Sequence, residues 1–138
     1  VGLAYGAFVG FVLRHLPMGN PQLSPSGIRT ALLVGFPYHV GYAGITEEPV
    51  FRAFLWGYLR RFRVPDRWIW LIQAALFMLA HLYTISRSPL TFWVTVPVGG
   101  LVLGALAWKT RSIAPTMLAH GLWNATSRLW AEIFLKIL

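Results

Sequence analysis

A charge-free stretch decides the fold: residues 88–108 read SPLTFWVTVPVGGLVLGALAW. A transmembrane α-helix needs about 20 consecutive apolar residues, so this stretch is long enough to cross a bilayer. Three further runs lack acidic and basic residues if histidine is counted as neutral, namely residues 30–46, 68–86 and 112–127. Several membrane-spanning helices are therefore predicted, and a soluble bundle of buried helices is the less favoured alternative.

The composition agrees with a membrane protein. Of the 138 residues, 57% are hydrophobic and only 12% are charged, whereas soluble domains have about 25% charged residues. The net charge of +8 comes from short basic clusters between the apolar runs, such as Arg60–Arg67 and Lys109–Arg111. Such clusters are typical of the ends of transmembrane helices and not of a nucleic-acid-binding surface. Because the chain has no cysteine, disulfides and thiolate catalysis are excluded.

The chain is predicted to be a single transmembrane domain, residues 1–138, taken from a longer protein because it begins with Val1. The fold class is all-α, a polytopic membrane helix bundle with about six transmembrane helices. Pro17–Gly27 is predicted to be a loop, Thr46 an N-cap, and Gly100 with Gly104 a close helix contact. The predicted helices cover residues 2–16, 28–42, 46–61, 66–83, 90–108 and 112–136.

The basic loops give a predicted orientation. With six crossings, the loops around residues 14–29, 60–67 and 109–111 all fall on one side, which the positive-inside rule makes cytoplasmic. The predicted location is a multi-pass integral membrane protein, and the short loops favour a prokaryotic plasma membrane. The expected partners are membrane lipid and a peptide or membrane-protein substrate, with no nucleic acid.

Two adjacent acids, Glu47 and Glu48, account for half of the four acidic residues in the chain. Glu48 and Arg52 are four residues apart in the order that favours an ion pair on a helix. Glu47 then points about 100° away around the helix, without a local cation. A charged group in an apolar setting is costly unless it is paired or solvated. Glu47 is therefore a candidate general acid or base, while Glu48 and Arg52 form a structural ion pair.

Two later apolar segments contain further polar side chains. His81 shares a helix face with Phe77, four residues earlier, and His120 shares one with Asn124. Helix-helix hydrogen bonding is the structural alternative for each of these residues. Together with Glu47 they supply one carboxylate, two imidazoles and one carboxamide. This set suits water activation with stabilisation of an oxyanion. The same groups, Glu47, His81 and His120, could instead bind zinc, but the spacing does not require a metal or any other cofactor.

In this order, the motifs E-E-x-x-x-R (residues 47–52), F-x-x-x-H (residues 77–81) and H-x-x-x-N (residues 120–124) resemble the CPBP family. These are intramembrane proteases related to the type II CAAX prenyl endopeptidase, also called Abi proteins. The resemblance covers residues 43–125 and is specific, because all three motifs occur in the family order. Ala53 is a small departure, since many members have glycine after the arginine.

The resemblance implies an intramembrane endopeptidase whose catalytic residues are Glu47, His81, His120 and Asn124. Glu47 and His81 would activate water, His120 and Asn124 would stabilise the oxyanion, and Phe77 would line the site. The family has been described both as zinc-dependent and as glutamate-dependent, so the catalytic type stays open. Bacterial members are linked to bacteriocin maturation and self-immunity. A membrane protein that binds a peptide without cutting it is therefore the alternative function.

Overall fold

The computed structural model describes residues 1–15 and 24–137, and this part of the chain is all-helical with no β-strand. The helices are α1 (Gly2–Leu13), α2 (residues 25–61), α3 (Asp66–Ala80), α4 (residues 89–110) and α5 (Ala114–Ile137). A short 3₁₀ turn, Leu82–Thr84, follows α3. The all-α prediction is confirmed. Most of the loop predicted at Pro17–Gly27 lies outside the described residues, but its last residues are helical because α2 already begins at Pro25.

The segments predicted as the second and third helices are one continuous helix, α2. Its N-terminus is capped by Ser24, whose hydroxyl accepts a hydrogen bond from the Gly27 amide at 3.0 Å. Three stretches of α2 have π-helical geometry: Ala31–Gly35, Val40–Gly44 and Pro49–Phe54. The predicted helix start at Thr46 is wrong, since the Thr46 hydroxyl hydrogen-bonds back to the Tyr42 carbonyl and caps nothing.

The π-helical stretches explain why prolines fail to break the helices. A proline inside an α-helix loses one hydrogen bond, and its ring clashes with the carbonyl of the preceding turn. Pro37 and Pro97 each follow a π-helical stretch by two residues, at Ala31–Gly35 and Thr91–Thr95. The wider turn ahead of the ring relieves the clash, so both helices continue through their prolines.

Because α2 is a single helix, the six-helix count is not confirmed. Arg29 and Arg60 lie at opposite ends of α2, roughly 45 Å apart along its axis. Arg29 and the basic segment at residues 60–67 therefore lie at opposite ends of α2, which removes the support for placing all three basic loops on one side. Among the described residues, one helix, Thr91–Thr110, is long and apolar enough to cross a membrane by length and composition.

Close backbone contacts hold the bundle together. Three glycines of α1, at positions 2, 6 and 10, face residues 119–131 of α5 so closely that a Cβ atom would clash at each. The two helices are parallel, and α2 packs antiparallel to α5 through Gly44 and Gly121. Gly100 and Gly104 of α4 face Ala74 and Gln73 of α3, which confirms the predicted close contact. The core residues at the junction of α1, α4 and α5 are Tyr5, Val9, Leu103, Ala119 and Trp123.

Candidate active site

Glu48 lies at the centre of a buried polar cluster between α2 and α5. Its side chain is fully buried, and its Oε1 accepts a hydrogen bond from Arg52 Nη1 at 3.2 Å. The same oxygen lies 2.8 Å from Nδ1 of His120. The structure therefore contains the predicted ion pair between Glu48 and Arg52, and it adds His120 to the pair. This third member was not predicted, since 72 residues separate it from Glu48.

Aromatic rings surround this cluster. The Arg52 guanidinium lies over the Phe77 ring at 4.4 Å from the ring centre, and the His120 ring stacks on Trp123 at 4.6 Å. The Phe77 side chain is 1% exposed and is in edge contact with the His120 ring at 6.1 Å. These rings exclude solvent from the ion pair, which strengthens electrostatic interactions within it.

Glu47 faces His81 instead of joining the buried cluster. Oε2 of Glu47 and Nε2 of His81 are 3.9 Å apart, too far for a direct hydrogen bond. Nδ1 of His81 lies 2.8 Å from the carbonyl oxygen of Phe77. A carbonyl oxygen can only accept, so Nδ1 carries the hydrogen, and in a neutral ring Nε2 presents its lone pair towards Glu47. Oε2 of Glu47 is buried and has no hydrogen-bond partner among the described residues.

Glu47 and His81 line a cavity of about 910 Å³. All four residues predicted to be catalytic line it, and so does Phe77: the four are Glu47, His81, His120 and Asn124. Glu48 and Arg52 do not line it. The four side chains thus share one cavity. Within it, His81 faces Glu47, whereas His120 is held by Glu48.

Two basic residues that line the cavity, His39 and Arg128, were missed in the sequence. His39 is eight residues before Glu47 on α2, and Arg128 is eight residues after His120 on α5. On a helix, residues eight apart lie on nearly the same face. This spacing was the available signal, and it places both residues along the faces that carry the predicted catalytic groups.

The arrangement does not favour a shared metal ion. Within residues 1–15 and 24–137, no group of three or more histidine, cysteine, aspartate or glutamate side chains is arranged to hold one. Nδ1 of His120 lies against Glu48 and Nδ1 of His81 against the Phe77 carbonyl, so each ring has only Nε2 free. As placed, Glu47, His81 and His120 do not form a group that could hold a shared zinc ion.

An all-helical bundle with a carboxylate and imidazoles that line a large cavity defines the class of this molecule as a helical protein with a candidate hydrolytic centre. The sequence model of the Rce1-like family, described as type II CAAX prenyl endopeptidase Rce1-like, matches residues 29–126. This chain belongs to that family, which confirms the resemblance inferred from the three motifs. No curated protein and no solved structure matches the chain. The family consists of membrane proteins, and membership supports a CAAX-protease type of endopeptidase in general terms.

Proposed function

We propose that this chain is an intramembrane endopeptidase that cleaves a peptide bond with a water molecule activated between Glu47 and His81. The observation that carries the proposal is the 3.9 Å separation of Glu47 Oε2 and His81 Nε2 in the cavity. Both atoms accept hydrogen bonds when the acid is ionised and the ring is neutral. A water about 2.8 Å from each would donate to both at an angle of roughly 90°, close to its own geometry.

In the proposed reaction, the Glu47 carboxylate removes a proton from this water while the water oxygen attacks the carbonyl carbon of the substrate. His81 accepts a hydrogen bond from the other O–H group of the water, which stays on the attacking oxygen, and so fixes the orientation of the water. A tetrahedral intermediate forms, with a negative charge on the former carbonyl oxygen. Glu47 then returns its proton to the amide nitrogen as the C–N bond breaks, which releases an amine and a carboxylic acid. General acid–base catalysis of this kind contributes about 10²- to 10⁴-fold to a rate.

Asn124 and His120 are the proposed donors to the oxyanion. The Asn124 carboxamide carries two N–H groups and lines the same cavity as Glu47. His120 already donates through Nδ1 to Glu48, so Nε2 donates only when the ring is protonated at both nitrogens. Glu48 places a negative charge beside that cationic form, while Arg52 shares the same carboxylate. One oxyanion donor contributes on the order of 3 kcal/mol to the transition state.

The substrate class follows from the family and the cavity. The family description names a CAAX prenyl endopeptidase, and most side chains that line the 910 Å³ cavity are apolar or aromatic. A peptide with an apolar or lipidated segment suits such a lining. A suitable probe is an internally quenched peptide that carries a prenylated cysteine near its C-terminus.

The test compares Glu47→Gln and His81→Asn with the unchanged chain in detergent or lipid nanodiscs. Both variants should lose cleavage by at least about 10²-fold while they keep the thermal unfolding of the parent. His15→Asn is the matched control, because His15 is exposed at the end of α1 and does not line the cavity. Cleavage at the parental rate by both variants would refute the mechanism. Peptide binding without cleavage by the unchanged chain would favour the non-proteolytic alternative.

A further inference from the structure

A second cavity, of about 340 Å³, lies between the C-terminal part of α2 and the turn that joins α4 to α5. Three arginines line it, Arg52, Arg60 and Arg111. The rings of Trp56 and Trp108 line it as well. No carboxylate of the described residues lines this cavity, and it has no lining residue in common with the catalytic cavity. It is therefore a separate and strongly basic site.

The carboxylates near this cavity leave part of its positive charge uncompensated. Arg52 is paired with Glu48 at 3.2 Å, and Arg60 donates to both oxygens of Asp66 at 2.7 Å. The guanidinium of Arg111 makes no side-chain hydrogen bond and no ion pair within 4 Å among the described residues, although its charge contributes to the lowered pKa of Asp66. The cavity thus contains three cations and is balanced by two carboxylates that lie outside its lining.

Arg52 has donor capacity that the protein leaves unused. Its side chain is 4% exposed, and its buried Nε has no hydrogen-bond partner among the described residues. Its Nη2 donates only a long bond of 3.4 Å to the Gly100 carbonyl. A buried N–H without a partner costs stability, so an acceptor supplied by a ligand would be favourable here.

The backbone conformation of Arg111 is uncommon for an arginine. Arg111 ends α4 in the left-handed region, with φ at 55°, and its amide donates to the Ala107 carbonyl at 2.9 Å. Glycine is the usual residue at such a position because it adopts positive φ without strain. Arg111 thus places a cation at the cavity despite the backbone cost, and Arg63 has the same conformation, with φ at 57°, just after α2 without lining this cavity.

We propose that this second cavity binds a phosphate group, either free phosphate or the headgroup of an anionic lipid. Guanidinium groups match phosphate oxygens with paired hydrogen bonds, and arginine is favoured for such recognition. A volume of about 340 Å³ is at the small end of ligand pockets, so it suits a headgroup and not the acyl chains. Basic pockets between helices that bind lipid headgroups are known in membrane proteins, and tryptophan rings are enriched at the headgroup level.

The experiment measures binding and does not depend on proteolysis. Thermal unfolding is followed in neutral micelles while inorganic phosphate replaces chloride at constant ionic strength. In a second arm, nanodiscs of phosphatidylcholine are compared with nanodiscs that also contain phosphatidic acid. Arg111→Gln removes one cation from the cavity. Gly57→Leu adds a bulky side chain at a residue that lines the cavity, and the position tolerates it because no atom lies within 4 Å of a Cβ built there. The matched control is Arg67→Gln, an exposed arginine that does not line the cavity.

Phosphate, phosphatidic acid or both should raise the unfolding temperature of the unchanged chain and of Arg67→Gln. Arg111→Gln should weaken binding by about 10- to 100-fold, as expected for loss of a charge-assisted hydrogen bond, and Gly57→Leu should also reduce it. A response to phosphate alone identifies a free anion as the ligand, and a response to phosphatidic acid alone identifies a lipid headgroup. An equal response in all variants would be a general salt effect. That outcome, or no response beyond chloride, would overturn the proposal.

Discussion

Substitution of Arg52 by an uncharged residue should strongly destabilise the protein, because this arginine is buried and paired. The side chain is 4% exposed and pairs with the fully buried Glu48. Arg52→Met leaves Glu48 with His120 as its remaining hydrogen-bond partner and also removes the contact with the Phe77 ring. Breaking a buried ion pair on one side costs about 3–5 kcal/mol, since an uncompensated charge remains.

A double-mutant cycle measures how much of this cost belongs to the pair. Glu48→Gln should also destabilise, because Arg52 then stays buried without a carboxylate. The double variant removes both charges, so its loss should be smaller than the sum of the single losses by about 1–3 kcal/mol. The assay is the free energy of unfolding from reversible denaturation in mixed micelles. Arg67→Gln, at an exposed position, should change this free energy by less than about 0.5 kcal/mol. If the two single losses sum to the loss of the double variant within about 0.5 kcal/mol, the coupling between Glu48 and Arg52 is refuted.

Two further predictions concern helix packing and acid stability. A Cβ atom on Gly121 would lie 2.9 Å from the Val40 amide nitrogen, so Gly121→Ala should destabilise by about 1–3 kcal/mol. Gly41→Ala has open space and should be neutral or stabilising in the same denaturation assay, and equal effects at both glycines would contradict this. The hydrogen bond from Arg60 lowers the pKa of Asp66 from 3.8 to about 2. Its stabilising contribution is therefore complete above pH 3.8 and is lost as the pH falls towards 2. Asp66→Asn should reduce the drop in unfolding temperature between neutral pH and about pH 2, and an unchanged drop would show that the ion pair with Arg60 does not contribute.

Local contacts of the site were predictable from the sequence. The four-residue spacing of Glu48 and Arg52 predicted their ion pair, and it forms at 3.2 Å. The partner of His120 was not predictable, because the pairing of α2 with α5 brings together residues 72 positions apart. Helical periodicity fixes which residues share a face, but it contains no information on which helices pack together. The role proposed for Glu47 rests on its 3.9 Å separation from His81, and the role proposed for Asn124 rests on its position in the cavity. Both stay predictions.

The continuity of α2 was missed for a different reason. Thr46 and Pro49 look like the start of a helix, since threonine is a good N-cap and proline is accepted in the first turn. The two predicted helices, 28–42 and 46–61, therefore left a gap between residues 42 and 46. In the structure, Val40–Gly44 and Pro49–Phe54 are π-helical turns, and the helix continues through both of them. Such turns have no reliable signature in a single sequence.

The contact of α1 with α5 has a consequence for how this gene can vary. Gly2, Gly6 and Gly10 lie directly against the backbone or side chains of α5, whereas Gly57 faces open space. In a saturation library scored for correctly inserted protein, codons 2, 6 and 10 should accept almost no replacement, while codon 57 should accept many. The range of substitutions accepted at each glycine would then show which helix faces pack inside the bundle.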